Sequence, residues 1–301
     1  MPKNIINRQF MDDAAVGYRA LFRESLASME MDWNKIAMQT SSNGSEETYG
    51  WLGSVPQVKK WLGERAIGKL TNFSYTIRNE KWTTDIGVGM DELEDDKTDI
   101  IRPRIVGLAE AAALHYEELI FGLLSDGFTL KAYDGKTFYA TDHKDVGSKV
   151  AAQSNRTNAV LNADNFRTAR AAMLNFKDNQ GNPIRTRSTT MVVPPQLESM
   201  ARSIVIADRD PAGATNVDAG TVGELIVSPF LKTTTEWHLL DTSRAIKPLI
   251  LQVRTAPEFT ALDDLNSDHV YKNDEALYGV KMRDNAGYSL WQLAYGSTGD
   301  A

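Results

Sequence analysis

Apolar residues recur at three- and four-residue intervals over residues 10–29, at Phe10, Ala14, Tyr18, Leu21, Phe22, Leu26 and Met29, which predicts a helix with one buried face. Asp12 and Asp13 fall in its expected first turn, where the helix dipole favours acids. Residues 39–48 are polar with a glycine and read as a hinge. A long polar excursion follows, carrying Trp51, Trp61 and Trp82 among Lys59, Lys60, Glu64, Arg65 and Lys69. Within it, residues 73–78 alternate as a half-exposed strand does, and Gly87, Gly89 and the acidic run 91–96 close it. The chain then enters one long helix, expected over residues 98–125 and roughly 40 Å long. Its stripe runs through Ile101, Ile105, Leu108, Ala112, Tyr116, Leu119, Leu123 and Leu124, with Gly127 as the stop. Pro103 near its start implies either that regular helix begins close to Arg102 or that the helix bends there.

Farther on the elements shorten. A turn-rich stretch holds Tyr133, Asp134, Gly135, Phe138, Tyr139, Asp142 and His143. A helix is expected over residues 164–176, capped by Asn162 or Asp164, with Phe166, Ala169, Met173 and Leu174 or Phe176 inward. Residues 179–183 have turn chemistry, residues 190–193 form a buried strand stopped by Pro194 and Pro195, and residues 197–205 are helical. After a loop over 208–223, strands are predicted at 224–227, 236–240, 248–255, 278–283 and 288–295, the last pair joined as a hairpin by residues 284–287. This order of elements is of the α+β class with mixed or antiparallel sheets.

Composition narrows the function. At 301 residues the chain exceeds the size at which one core usually stops growing, so two domains are expected. No apolar run approaches about 18 residues and the start lacks a signal-peptide core, which points to a protein made and kept in a cytoplasm, away from membranes. The absence of cysteine excludes disulfides, thiolate nucleophiles and zinc ribbons. A net charge of -7 argues against tightly held nucleic acid, because duplex binding depends on neutralising phosphates.

Candidate chemistry is sparse. The four histidines, His115, His143, His238 and His269, show no paired metal-ligand spacing. Gly87-Val88-Gly89 lacks the third glycine of a dinucleotide site. The acidic run lacks the glycine turn of a calcium loop and reads as a complement to the following helix's positive end. Asp142 with His143 and Asp145 is the best local cluster: a hydrolase reading makes it a metal or general-base site, and the plainer reading is a turn with His143 bonded to backbone. No catalytic, cofactor-binding or metal-binding residues are assigned.

The aromatic excursion points elsewhere. Loops much beyond about 15 residues are usually functional or disordered, and disordered segments are poor in aromatics. Tryptophan and arginine are the residues most enriched at interface hot spots, so Trp51, Lys59, Lys60, Trp61 and Arg65 are the expected intersubunit contacts, with a second copy as partner. Trp61 is read either as a staple within its own loop or as an anchor in a neighbour's pocket, the second being favoured.

Five segments then carry a specific resemblance: WLGSVPQVKKWLGER (51–65), WTTDIGVGMDELEDD (82–96), YDGKTFYATDH (133–143), TTMVVPPQLESMAR (189–202) and YGVKMRDNAGYSLWQLAYG (278–296). In this order, and over nearly the whole chain, they resemble the major head subunits of Mu-like bacteriophages, capsid proteins of the Hong-Kong-97-type fold. The resemblance implies an amino-terminal arm (1–45), an extended loop (46–92), a peripheral domain with a long spine helix (93–155 and 248–301) and an axial domain (156–247). It implies pentamers and hexamers closing into an icosahedral shell around double-stranded DNA in the virion, assembled in the bacterial host cytoplasm with scaffold, maturation protease, portal and decoration proteins. The lysine and asparagine context for covalent cross-links is not identifiable. The alternatives are an encapsulin-like nanocompartment shell and a metal-dependent hydrolase using Asp142 and His143.

Overall fold

The computed structural model describes residues 6–50, 75–95, 100–144, 148, 150–209 and 213–301. In chain order the elements are α1 (Arg8–Ser28), α2 (Trp33–Ile36), β1 (Ala37–Ser41), β2 (Glu46–Tyr49), β3 (Tyr75–Arg78), β4 (Glu80–Gly89), α3 (Met90–Glu94) and α4 (Ile101–Asp126). They continue as β5 (Arg156–Thr157), α5 (Ala163–Leu174), β6 (Thr190–Val193), α6 (Glu198–Val205), β7 (Glu224–Val227) and β8 (Trp237–Leu240). The last are β9 (Leu249–Leu262), α7 (Asp268–Asn273), β10 (Glu275–Tyr288) and β11 (Ala294–Ser297). The chain divides into two compact units: unit 1 comprises residues 1–31, 79–118 and 253–285, and unit 2 comprises residues 32–78, 119–252 and 286–301.

Unit 1 is a helix-on-sheet layer. Strand β4 pairs antiparallel with β10 over ten residues, from Glu275 opposite Gly89 to Asp284 opposite Glu80. Met11 and Phe22 of α1, Ile105 and Leu108 of α4, and Tyr278 and Val280 of β10 share one buried cluster. Phe22 sits 5.8 Å from Phe259, and Tyr18 meets Tyr278 edge-on at 5.3 Å, so aromatic packing fastens α1. Asn7 caps α1 by accepting from the Phe10 N–H at 2.9 Å.

Unit 2 is built on a five-stranded sheet in the order β5-β11-β8-β6-β7. Strand β6 runs parallel to β7 and antiparallel to β8, while β11 runs antiparallel to β8 and parallel to β5. Every residue of β6, β8 and β11 is buried, as strands covered on both faces must be, which is why β6 runs Met191-Val192-Val193 after Thr190 without polar alternation. Helix α5 is capped by the Asn162 side chain and turns Phe166, Ala169 and Met173 inward, with Phe176 buried just beyond; Leu174 is exposed. Strands β2 and β3 form a separate antiparallel pair, from Glu46 opposite Arg78 to Tyr49 opposite Tyr75.

Several expectations change. Because α1 begins at Arg8, Asp12 and Asp13 lie beyond its first turn. Residues 39–48 contribute to β1 and β2, whose polar residues occupy the less buried positions of alternating strands, so only the bend between them answers to a hinge. Gly87 and Gly89 belong to β4; a Cβ on Gly87 would overlap the Glu275 side chain across the ladder. Residues 90–94 form the short helix α3, and Glu92 bonds Arg104 at 2.9 Å. Pro103 is the third residue of α4, inside the first turn where its missing N–H costs no helical bond. Gly127 ends α4 without a positive φ: a Cβ there would lie 2.8 Å from the Tyr139 ring, so close approach selects glycine.

The carboxy-terminal strands are also redrawn. β9 and β10 are each 14 residues long, and α7, whose residues are mostly polar, lies between them. Residues 284–287 are part of β10 and make no hairpin. Asp284 is buried against His115 within unit 1, and a Cβ on Gly287 would meet Ile77 at 2.7 Å in unit 2; tertiary packing overrides their turn chemistry. Beyond β10 a short 3-10 turn (Trp291–Leu293) leads into β11, so the last predicted strand is in part turn.

Candidate assembly surfaces

The expected contact residues Trp51, Lys59, Lys60, Trp61 and Arg65 lie outside the described residues. Trp82 is described. It sits in β4, half-buried, with its ring 4.6 Å from His115, whose Nε2 is 3.0 Å from Asp284 Oδ1. His115 therefore binds a strand carboxylate within unit 1.

The turn region holds a buried polar network. His143 is fully buried, with Nδ1 2.6 Å from Asp134 Oδ2 and Nε2 3.0 Å from Asn155 Oδ1, and its ring stacks on Trp291 at 4.1 Å. Asn155 is a hub: its Nδ2 donates to the carbonyls of Phe138, Trp291 and Ala294, and its Oδ1 also accepts from the Ala140 N–H. Asp142 is exposed and pairs with Lys136. His143 is buried against Asp134 and Asn155 while Asp142 is exposed on Lys136, so the two neighbours are engaged with different partners and the hydrolase reading loses its pair. His143 bonds backbone as well, its N–H and carbonyl pairing with Gln153. Asn155 escaped sequence reading because a lone asparagine carries no local pattern.

A second buried network surrounds Glu236, whose Oε1 accepts from Ser125 Oγ at 2.6 Å and the Thr233 N–H at 2.9 Å, with His238 Nε2 3.5 Å from Oε2. Burial pushes this carboxyl up, but His238, Ser125 and Thr233 together outweigh burial and hold it at about 2. His238 Nδ1 lies 3.1 Å from the Tyr139 hydroxyl, and the Tyr139 ring is clamped between Gly127 and Gly296, each of which would set a Cβ 2.8 Å from it. These groups are buried and bond one another, an arrangement that supports structure. Among the described residues no cluster of three or more His, Asp and Glu could hold a metal ion, and no helix is long and apolar enough to cross a membrane.

The surface offers apolar features instead. In unit 2 a groove of about 430 Å³ opens between the start of α6 and residues 160–161, walled by Leu197, Met200, Thr235 and Gly299. At the far end of α6 stand Ile206 and, on the adjoining segment, Val217, both exposed.

Comparison with known proteins accounts for a chain with buried polar struts and exposed apolar surface. The family described as Mu-like prophage major head subunit gpT matches residues 11–160, 153–231 and 232–300. The major capsid protein of Escherichia phage Mu is 30% identical over 283 residues, 94% of this chain and 72% of that protein. The Mu-like prophage FluMu major head subunit of Haemophilus influenzae is 29% identical over 284 residues, 94% of this chain and 71% of that protein. Among solved structures, the procapsid of bacteriophage JBD30 superposes with a TM-score of 0.62 at 26% identity, covering 97% of this chain and 76% of that one. The fold is that of phage capsid proteins of the Hong-Kong-97 type. With the match running from residue 11 to residue 300, this chain belongs to the Mu-like prophage major head subunit family, structural proteins of the phage capsid and not enzymes.

Proposed function

We propose that copies of this chain form pentamers and hexamers that close into an icosahedral head around double-stranded DNA. The observation that carries this reading is the family match from residue 11 to residue 300, joined to the procapsid likeness over 97% of the chain. In this reading residues 1–45 serve as the amino-terminal arm, 46–92 as the extended loop, 93–155 and 248–301 as the peripheral domain and 156–247 as the axial domain. Helix α1, docked in the core of unit 1, anchors the arm's base. Trp51, Lys59, Lys60, Trp61 and Arg65 reach a neighbouring subunit. DNA is held by confinement, in keeping with a net charge of -7, and scaffold, protease, portal and decoration proteins are the partners such a head calls for. The shell is non-covalent, since no cross-linking pair is identifiable.

Negative-stain microscopy of the purified protein tests the class: closed shells or capsomer rings are expected, and a monodisperse monomer at all concentrations would refute it. Trp61→Ala tests the contact assignment. Loss of closed shells with an unchanged thermal midpoint is expected, and normal particle yield would remove Trp61 from the interface.

A further inference from the structure

Asn43 is the only asparagine of the chain that is followed by glycine. The pair sits in the bend between β1 and β2, outside both strands, and Asn43 is exposed. Among the described residues the Asn43 side-chain amide has no hydrogen-bond partner, and only the backbone N–H of this residue is engaged. Gly44 stands here for lack of room: a Cβ on it would lie 3.0 Å from the Glu46 carbonyl oxygen. The same missing side chain leaves the Gly44 nitrogen unhindered toward the carboxamide carbon of the residue before it, and a reaction within one chain has its reactants already gathered. The Asp-Gly pairs are placed otherwise. Asp126 bonds Lys232, and Asp134 is buried on His143, so both carboxyl groups are engaged.

One carboxylate oxygen closes the bend. Glu47 Oε1 accepts from Ser42 Oγ at 2.9 Å, from the Asn43 N–H at 2.9 Å and from the Gly44 N–H at 3.1 Å. Hydrogen bonds to an ionised acceptor are the stronger kind, so three successive residues are tied firmly to one point. The Gly44 nitrogen is held through the hydrogen it must lose before it can attack a carbonyl carbon. Its release is a local opening of the bend, an event that surface segments undergo far more readily than the core.

We propose that Asn43 is a site of spontaneous modification and that Glu47 is the latch that sets its rate. Once the latch opens, the Gly44 nitrogen bonds the Asn43 Cγ. The Cγ–Nδ2 bond breaks, the proton from the Gly44 nitrogen passes through water to the leaving nitrogen, and ammonia departs. A five-membered imide remains. Water then adds to either of its carbonyls and the ring opens to aspartate or to isoaspartate, with nothing oxidised or reduced. Either product adds a negative charge to a bend closed on Glu47, and isoaspartate also carries the main chain through the side-chain carbon, so the latch cannot close again in its old form. The bend leads directly into β2, whose ladder with β3 closes the base of residues 50–74. The conversion is a one-way mark of age at the root of the excursion. It goes beyond the shell reading and stands without it.

Full-length wild type, Glu47→Ala and Glu47→Gln are held at mildly alkaline pH in water labelled with heavy oxygen, and the proteolytic peptide containing residue 43 is followed by mass spectrometry. Wild type unfolded in urea gives the rate without any latch. Conversion of Asn43 in Glu47→Ala should run about tenfold faster than in folded wild type, as a mixture of aspartate and isoaspartate that has gained one heavy oxygen. Glu47→Gln, whose amide oxygen still accepts both N–H groups but without the charge, should fall between. Equal rates in wild type and Glu47→Ala overturn the latch. A slower rate in Glu47→Ala overturns it in favour of Glu47 as the base for ring closure, and an Asn43 that stays intact even in urea overturns the site itself. If Glu47→Ala loses its thermal transition, Glu47→Gln carries the test, and a rate there at or below wild type overturns the proposal.

Discussion

Along α4 the passage from unit 1 to unit 2 can be followed residue by residue. Ile101, Ile105, Leu108 and Ala112 are buried while Arg102, Arg104, Glu110 and Leu114 between them are exposed, and then residues 120–124 are buried in succession. The first part is an amphipathic helix resting on one layer; the second is apolar all round, as a helix must be when structure surrounds it. Their polar groups differ accordingly. Unit 1 buries few polar side chains, whereas unit 2 encloses Asn155, His143, Glu236, His238 and Asp241. A layered fold can turn its polar groups outward, but an enclosed one must supply partners within, and each partner lost leaves a desolvated group behind.

The sharpest way to break this comparison is Asn155→Ala. The truncation strands the Ala140 N–H and several carbonyls that have no water to turn to, and about 3–5 kcal/mol of stability should disappear in urea titration. A loss below about 1 kcal/mol would mean that the enclosed polar mesh is not what holds unit 2. Phe22→Ala is the counterpart in unit 1, where the whole cost is lost apolar contact and a cavity, about 3–4 kcal/mol, read as faster amide exchange in β10. Unchanged exchange there would show that α1 packs without contributing.

Glu236→Gln sharpens the comparison through pH. The folded carboxyl lies at about 2 against an ordinary 4.5, so its contribution is complete above about pH 4.5 and is lost as pH falls toward 2. The variant should be less stable at pH 7 by on the order of 2 kcal/mol and should show a flatter stability profile across that window. Parallel profiles would place the acid sensitivity elsewhere. Smallest of all, Arg104→Ala breaks a half-exposed pair with Glu92 and should move the denaturation midpoint by less than about 0.5 kcal/mol in equivalent stability.

Much of the fold could be read where a segment's local signal agrees with its burial. The bounds expected for β6 and β7 match because each is a short run of mostly apolar or β-branched residues stopped by a turn former, and Asn162 marks the start of α5 by its capping chemistry. Reading failed where distant partners decide. Residues 284–287 look like a turn until Asp284 meets His115, 169 positions away, and Asn155 gains importance only from carbonyls as far as 139 positions away. Burial undid the pairing of Asp142 with His143, which adjacency in sequence had suggested: the histidine is enclosed with Asp134 and Asn155 and the aspartate is exposed on Lys136. The assembly residues in the excursion were named on residue type alone, and their test is the microscopy of Trp61→Ala.

The unbroken course of β10 has a mechanical meaning. Ten consecutive residues pair with β4, so tension drawn along these strands loads the whole ladder in shear, and its bonds must yield together. Had residues 284–287 turned back as a hairpin, the Asp284–Glu80 rung would have been lost and the ladder would have ended at a bend, open to unzipping one rung at a time.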